Sequence, residues 1–176
     1  SNEQGHADFY KRWLGLADDE TPTQAHNIRW ALSYQIGWMY LRYFGWNFVG
    51  KQNDLQGFGN VRDGNVITGI SFVDNALLGN QEKIPDSIAK NKAHNTLFAL
   101  PLILGLLGLF YQHKKDDRDF LVTFLLFFFT GLAIVFYLNQ AGNQPRERDY
   151  AYVGSFYAFA IWIGLGVMQV KDWLQK

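Results

Sequence analysis

The sequence contains no cysteine. Disulfide staples, thiolate nucleophiles and cysteine-ligated metals are therefore excluded, and the redox compartment leaves no mark. Net charge is missing too. The 16 Lys and Arg balance 16 Asp and Glu, so no nucleic-acid partner is expected. Proline is scarce, at 4 of 176 residues, and the histidines His6, His26, His94 and His113 show no metal-ligand spacing. The sequence thus assigns neither a cofactor nor a divalent metal. Charge is also absent from two long stretches, Phe120 to Leu138 and Ala151 to Val170. Each is about the length, ~20 residues, that a helix needs to cross a bilayer.

What is abundant is aromatic: 15 Phe, 9 Tyr and 6 Trp. Trp and Tyr gather at membrane interfaces because each ring joins an apolar body to a polar tip. The expected fold class is an all-α membrane protein. It has about three transmembrane helices, an aromatic-rich interfacial helix and an ordered polar loop. Residues 1–26 read as a polar extramembrane segment with a turn or helix start at Pro22, and carry no motif. Residues 27–50 read as an interfacial or membrane helix. There Leu32, Ile36, Met39 and Tyr43 follow an i, i+4, i+7, i+11 stripe, and Arg42 would snorkel to the headgroups.

Residues 51–95 hold too many charges and glycines to span lipid. They are expected to form an extracytoplasmic loop packed on the helix ends, with a turn at Asp63-Gly64-Asn65 and a short strand or packed loop from Val66 to Val73. Gly57-Phe58-Gly59-Asn60 lacks the preceding strand and following helix of a nucleotide fingerprint. Residues 96–176 are expected to hold three spans: Thr96 to Tyr111, Phe120 to Leu138 and Tyr152 to Val170. Gly164-Leu165-Gly166 offers a close-packing notch in the last. With neither an initiator Met nor a signal-peptide pattern, the chain reads as an internal piece of a larger protein.

The densest charge between Phe120 and Val170 is the link Gln144-Pro145-Arg146-Glu147-Arg148-Asp149-Tyr150. In an extended link Arg146 and Arg148 would face one way and Glu147 and Asp149 the other. Two guanidinium forks on one face suit a phosphate, and a helix starting near Gly154-Ser155 would add its N-terminal N–H groups. Glu147 and Asp149 would then orient the arginines or act on a substrate hydroxyl. The competing reading is a self-neutralised cluster pinned at the interface.

The link from Gln112 to Asp119 holds Lys114, Lys115 and Arg118, with Lys171 and Lys176 expected on the same side. The positive-inside tendency puts that side in the cytoplasm and Arg146 outside. Arg42, Asn47, Lys51, Gln52, Asn53 and Asp54, together with Asn139 and Gln140, would join the outer surface.

Several runs resemble a known family. They are Tyr34-Gln35, the stretch Met39-Tyr40 through Asn53-Asp54, Gly131-Leu132-Ala133, Tyr137-Leu138-Asn139-Gln140, and Pro145-Arg146-Glu147-Arg148-Asp149-Tyr150-Ala151-Tyr152 with Gly154-Ser155-Phe156. The chain resembles, over roughly residues 27–170, the bacterial multi-pass membrane family long called domain of unknown function 2723. That family is similar to protein O-mannosyltransferases of the membrane glycosyltransferase C superfamily.

The resemblance implies a multi-pass protein of the bacterial inner membrane and a polyprenyl-phosphate sugar as donor. It also implies an acceptor protein and a catalytic acid in an outer loop earlier in the same polypeptide, outside this chain. The assignment of Arg42, Asn47, Gln52, Asn53, Asp54, Arg146, Glu147, Arg148, Asp149 and Tyr150 to substrate binding follows from charge and topology. A non-catalytic membrane scaffold is the alternative. A transporter would be expected to hold ionisable groups within its spans, which the second and third lack.

Overall fold

A computed structural model describes residues 2–142 and 148–175. The chain is mostly helical, with a single two-stranded ribbon among the described residues. The polar start, which showed no motif, forms helix α1 (Asn2–Leu14). Phe9 and Leu14 are buried against Trp30, Tyr34 and Met39, with Trp13 and Trp38 beside them. Trp30 stacks on Tyr34 at 4.2 Å between ring centroids.

Thr23 starts the next helix. Its hydroxyl accepts from the His26 backbone N–H, and the His26 ring accepts from the Thr23 N–H, so two orphan donors are satisfied reciprocally. Helix α2 (Gln24–Trp30) then runs through a widened π segment (Ala31–Leu41) into α3 (Arg42–Phe48). Trp30, Tyr34, Met39, Tyr43 and Phe48 are all buried, at alternating steps of four and five residues. That spacing suits i→i+5 bonding better than a 3.6-residue turn. It explains why the expected stripe fails at Leu32, which is 60% exposed, while Met39 and Tyr43 are buried.

Strand β1 (Gly50–Lys51) pairs antiparallel with β2 (Asn95–Thr96), closing the base of the polar loop. Between them lie the short helices α4 (Ser71–Leu78) and α5 (Asp86–Ala89). The expected strand from Val66 reduces to one bridge, Lys51 to Val66, because α4 begins at Ser71. Gly64 takes a φ of 65° at the expected turn, a conformation that favours glycine.

Helices α6 (Leu100–Lys115), α7 (Asp117–Thr130), α8 (Leu132–Leu138) and α9 (Val153–Leu174) form a bundle. Asp116 joins α6 to α7 and caps α7, its carboxylate accepting from the N–H groups of Arg118 and Asp119. Helix α9 packs chiefly on α6 and also on α7. The approach is backbone to backbone. A Cβ on Gly108 would overlap the Trp162 carbonyl, and one on Gly166 would overlap the Leu104 carbonyl. Gly166 is thus a contact of the expected notch, whereas a Cβ on Gly164 would meet nothing.

Gln112 ties the three helices together. It donates to the Thr123 hydroxyl at 3.2 Å and accepts from the Trp162 indole N–H at 2.7 Å. Phe48 reaches in from α3 to join Phe159 and Trp162 in the bundle core.

Two helices are long and apolar enough to cross a membrane, Asp117–Leu138 with 22 residues and Asp149–Leu174 with 26. Only 17% and 28% of their most apolar stretches are buried, unlike a core helix of a water-soluble domain. The expected first span is shorter. Phe98 and Ala99 both have φ near 54°, so α6 starts only at Leu100 and runs 16 residues. That is about 24 Å, against a hydrocarbon core of about 30 Å.

Candidate functional site

Asn143 to Glu147 lie outside the described residues, so the predicted Arg146 and Glu147 do too. Arg148, Asp149 and Tyr150 are described, and all three are exposed. The expected alternation does not continue past Arg148. Asp149 already opens a 3-10 turn (Asp149–Tyr152) that leads into α9, and its carboxylate accepts from the Tyr150 N–H at 2.9 Å.

The helix start expected near Gly154-Ser155 lies at Val153. Gly154 lies against Thr130 inside the helix. Ser155 is fully buried, accepts from the Tyr40 hydroxyl at 3.2 Å and donates to the Tyr152 carbonyl. The Ser155 hydroxyl is therefore already engaged.

Arg42 does not snorkel. It is buried, and its guanidinium lies 4.2 Å from the Trp38 ring centroid and 4.6 Å from those of Tyr43 and Trp46. It also donates to the carbonyls of Trp38 and Gly64. Three ring faces and these acceptors compensate its lost hydration.

Gln52 and Asn53 are buried as well. The Gln52 amide donates to the Val61 carbonyl and accepts from Asn65. The Asn53 amide donates to the Arg62 carbonyl and accepts from the N–H groups of Leu55 and Gly64. These bonds fix the fold of residues 52–65. Asn47 is exposed and donates within its own helix to the Tyr43 carbonyl. Asp54 is exposed, and a hydrogen bond from Asn91 holds its carboxyl below the usual carboxylate range. The side chain of Asp63 is buried, and the two-pronged contact from Arg62 lowers its pKa in the same direction.

Asn139 and Gln140 are met by an earlier part of the aromatic helix. Gln35 donates to the Asn139 side chain at 2.9 Å and to the Gln140 carbonyl at 3.1 Å. Tyr40 and Tyr43 pack with Val135 and Tyr152. Gly131, at the break between α7 and α8, leaves room for the Tyr40 hydroxyl. Beside this joint an open groove of about 380 Å³ is lined by Tyr10, Asn27, Trp30, Gln35, Asn139 and Gln140, among others.

Gln35, Asn139 and Gln140 were legible as amides flanking or interrupting apolar runs. The Tyr40–Ser155 bond carried no sequence signal, because it joins residues 115 apart.

At the other end of the bundle, Lys114 and Lys115 share a groove with Asp172 and Gln175. Among the described residues no group of His, Asp or Glu could hold a metal ion. No family model, curated protein or solved structure matches the chain.

Proposed function

We propose that this chain is part of an integral-membrane glycosyltransferase resembling protein O-mannosyltransferases, in the bacterial inner membrane, with α6, α7–α8 and α9 as its three spans. It would take a sugar from a polyprenyl-phosphate donor at the extracytoplasmic face and pass it to a protein hydroxyl. The catalytic acid would come from another part of the same polypeptide.

One observation carries the reading. Asn139 and Gln140, which Gln35 meets from the aromatic helix, and the exposed Arg148 lie on one short link between two apolar helices. A short link returns the chain to the membrane face that it left. Polar hydrogen-bonding groups and a guanidinium therefore share one mouth of the bundle, as a lipid-linked phosphosugar requires. The basic groove at Lys114 and Lys115 marks the opposite end, which the positive-inside tendency assigns to the cytoplasm.

The scaffold reading also has an observation in its favour. Arg42, Gln52 and Asn53 direct their hydrogen bonds to the chain's own backbone. Donor binding in the full-length protein separates the two. As a phosphate ligand, Arg148 contributes about 1.5–3 kcal/mol. Arg148→Ala then weakens polyprenyl-phosphate-sugar binding about tenfold to a hundredfold, and Arg148→Lys is also impaired because the planar fork is lost. Arg146→Ala is expected to behave alike. Normal donor affinity in folded variants would leave the link as a structural clamp. Single cysteines at Lys115 and Gln144 test orientation: labelling from outside at 144 only is expected, and labelling at 115 only would reverse it.

A further inference from the structure

One residue that lines the groove beside the amide joint, Gln140, holds a buried polar group with nothing to bind. Gln140 is 95% buried, at 5% exposure, yet neither its side-chain oxygen nor its side-chain nitrogen has a hydrogen-bond partner. A buried amide left this way destabilises the fold, and its neighbours show that the surroundings can do better. The Gln35 amide a few ångströms away makes two bonds. An unpartnered amide in a well-bonded joint points to a ligand.

The lining defines that ligand's chemistry. Among the described residues no Lys, Arg, Asp or Glu borders the groove, so there a phosphate would find only the His6 ring as a counter-charge and an ammonium none. Its lining includes a set of carboxamides, from Asn27, Gln35, Asn139 and Gln140, with the rings of His6, Tyr10 and Trp30. A carboxamide both donates and accepts through adjacent atoms. Vicinal hydroxyls do the same. At about 380 Å³ the groove is at the small end of ligand sites.

We propose that this groove is a subsite for an uncharged polyhydroxylated ligand, a monosaccharide ring, held through the side-chain amide of Gln140. The Gln140 atoms are closed to water in the conformation described, so the side chain rotates toward the groove it lines when the ring arrives. Assigning that ring to a lipid-linked donor rests on the glycosyltransferase reading. The binding of a free sugar does not.

The test uses the full-length protein and three probes: methyl α-mannopyranoside, inorganic phosphate and N-acetylglycinamide. Calorimetry gives affinity and thermal unfolding gives stability. Gln140→Leu keeps the volume and removes the unpaired amide. It is expected to leave Tm unchanged or raised while weakening methyl mannoside binding at least tenfold. A fall in Tm would show that Gln140 has a structural partner and overturn the proposal. So would unchanged sugar affinity, or a preference for the phosphate or amide probe. Sugar transfer from a polyprenyl-phosphate donor is measured in parallel on the wild type. Transfer without Gln140-dependent sugar binding overturns the groove alone. Gln140-dependent binding without transfer upholds the groove and removes the enzyme.

Discussion

The loop from Gln52 to Asp74 and the bundle of α6, α7 and α9 are built in opposite ways. In the loop the polar residues are inside: Gln52, Asn53, Asp63 and Asp74 are buried, while Leu55, Phe58, Val61, Ile70 and Phe72 are exposed beside exposed charges. Each buried polar residue is paired, and Asp74 alone accepts from two backbone N–H groups and the Thr68 hydroxyl. In the bundle the large apolar side chains are outside, among them Leu121, Val122, Leu125, Phe128 and Phe129, and the close contacts are made by glycines.

The loop is held by side chains bonding to backbone and the bundle by backbone approaching backbone. This is the difference that two solvents, water around the loop and lipid around the bundle, would produce. In water a loop needs its own hydrogen bonds to fix one shape. In lipid exposed apolar side chains have no drive to be buried, and close packing supplies the attraction.

The comparison breaks most sharply at Gly108. Gly108→Val drives a side chain into the Trp162 carbonyl, and overpacking of this kind costs about 1–3 kcal/mol or more. Thermal unfolding in detergent is expected to fall steeply for this variant, while Gly164→Val, in open space, stays near wild type. Equal losses at both sites would mean that backbone contact does not hold the bundle.

A smaller effect is expected in the loop. Asn53→Ala strands the N–H groups of Leu55 and Gly64 and the Arg62 carbonyl, at about 1–3 kcal/mol for a buried group left unpaired. Hydrogen exchange should accelerate over residues 52–65 and not in α9. Acceleration in both would make the two regions one cooperative unit.

The smallest effect is that of pH. The folded carboxyl of Asp63 titrates below its unfolded value of about 3.9. Its contribution is therefore present above that pH and lost as pH falls through the folded value. Proteolysis of the loop should quicken below about pH 4, and Asp63→Asn should remove that step.

Much of the helical frame was legible because it follows from local composition. Charge-free runs gave the helices Asp117–Leu138 and Asp149–Leu174. Asp63-Gly64-Asn65 marked the turn, and Gly166 the close contact. Helix α1 was missed because Phe9, Trp13 and Leu14 are few among polar residues, and become a core only when Trp30 and Tyr34 meet them. The expected stripe of the aromatic helix failed at Leu32 because π turns change the period, and nothing in the residue types announces them.

For the candidate site, the sequence determined the kinds of groups available: amides at the ends of apolar runs, arginines in a link, no thiols and no metal cluster pattern. Only the tertiary structure decided which groups are already engaged. Arg42, Gln52 and Asn53 look like ligand-binding residues in one dimension, because a charge or an amide at a membrane exit reads as available. In three dimensions their partners include rings and backbone groups from positions 38 to 65. Gln140, equally polar in sequence, is the one left unpaired among these amides. Composition counts donors and acceptors, but hydrogen bonding depends on distance and direction within a few tenths of an ångström, and only the packed chain sets those.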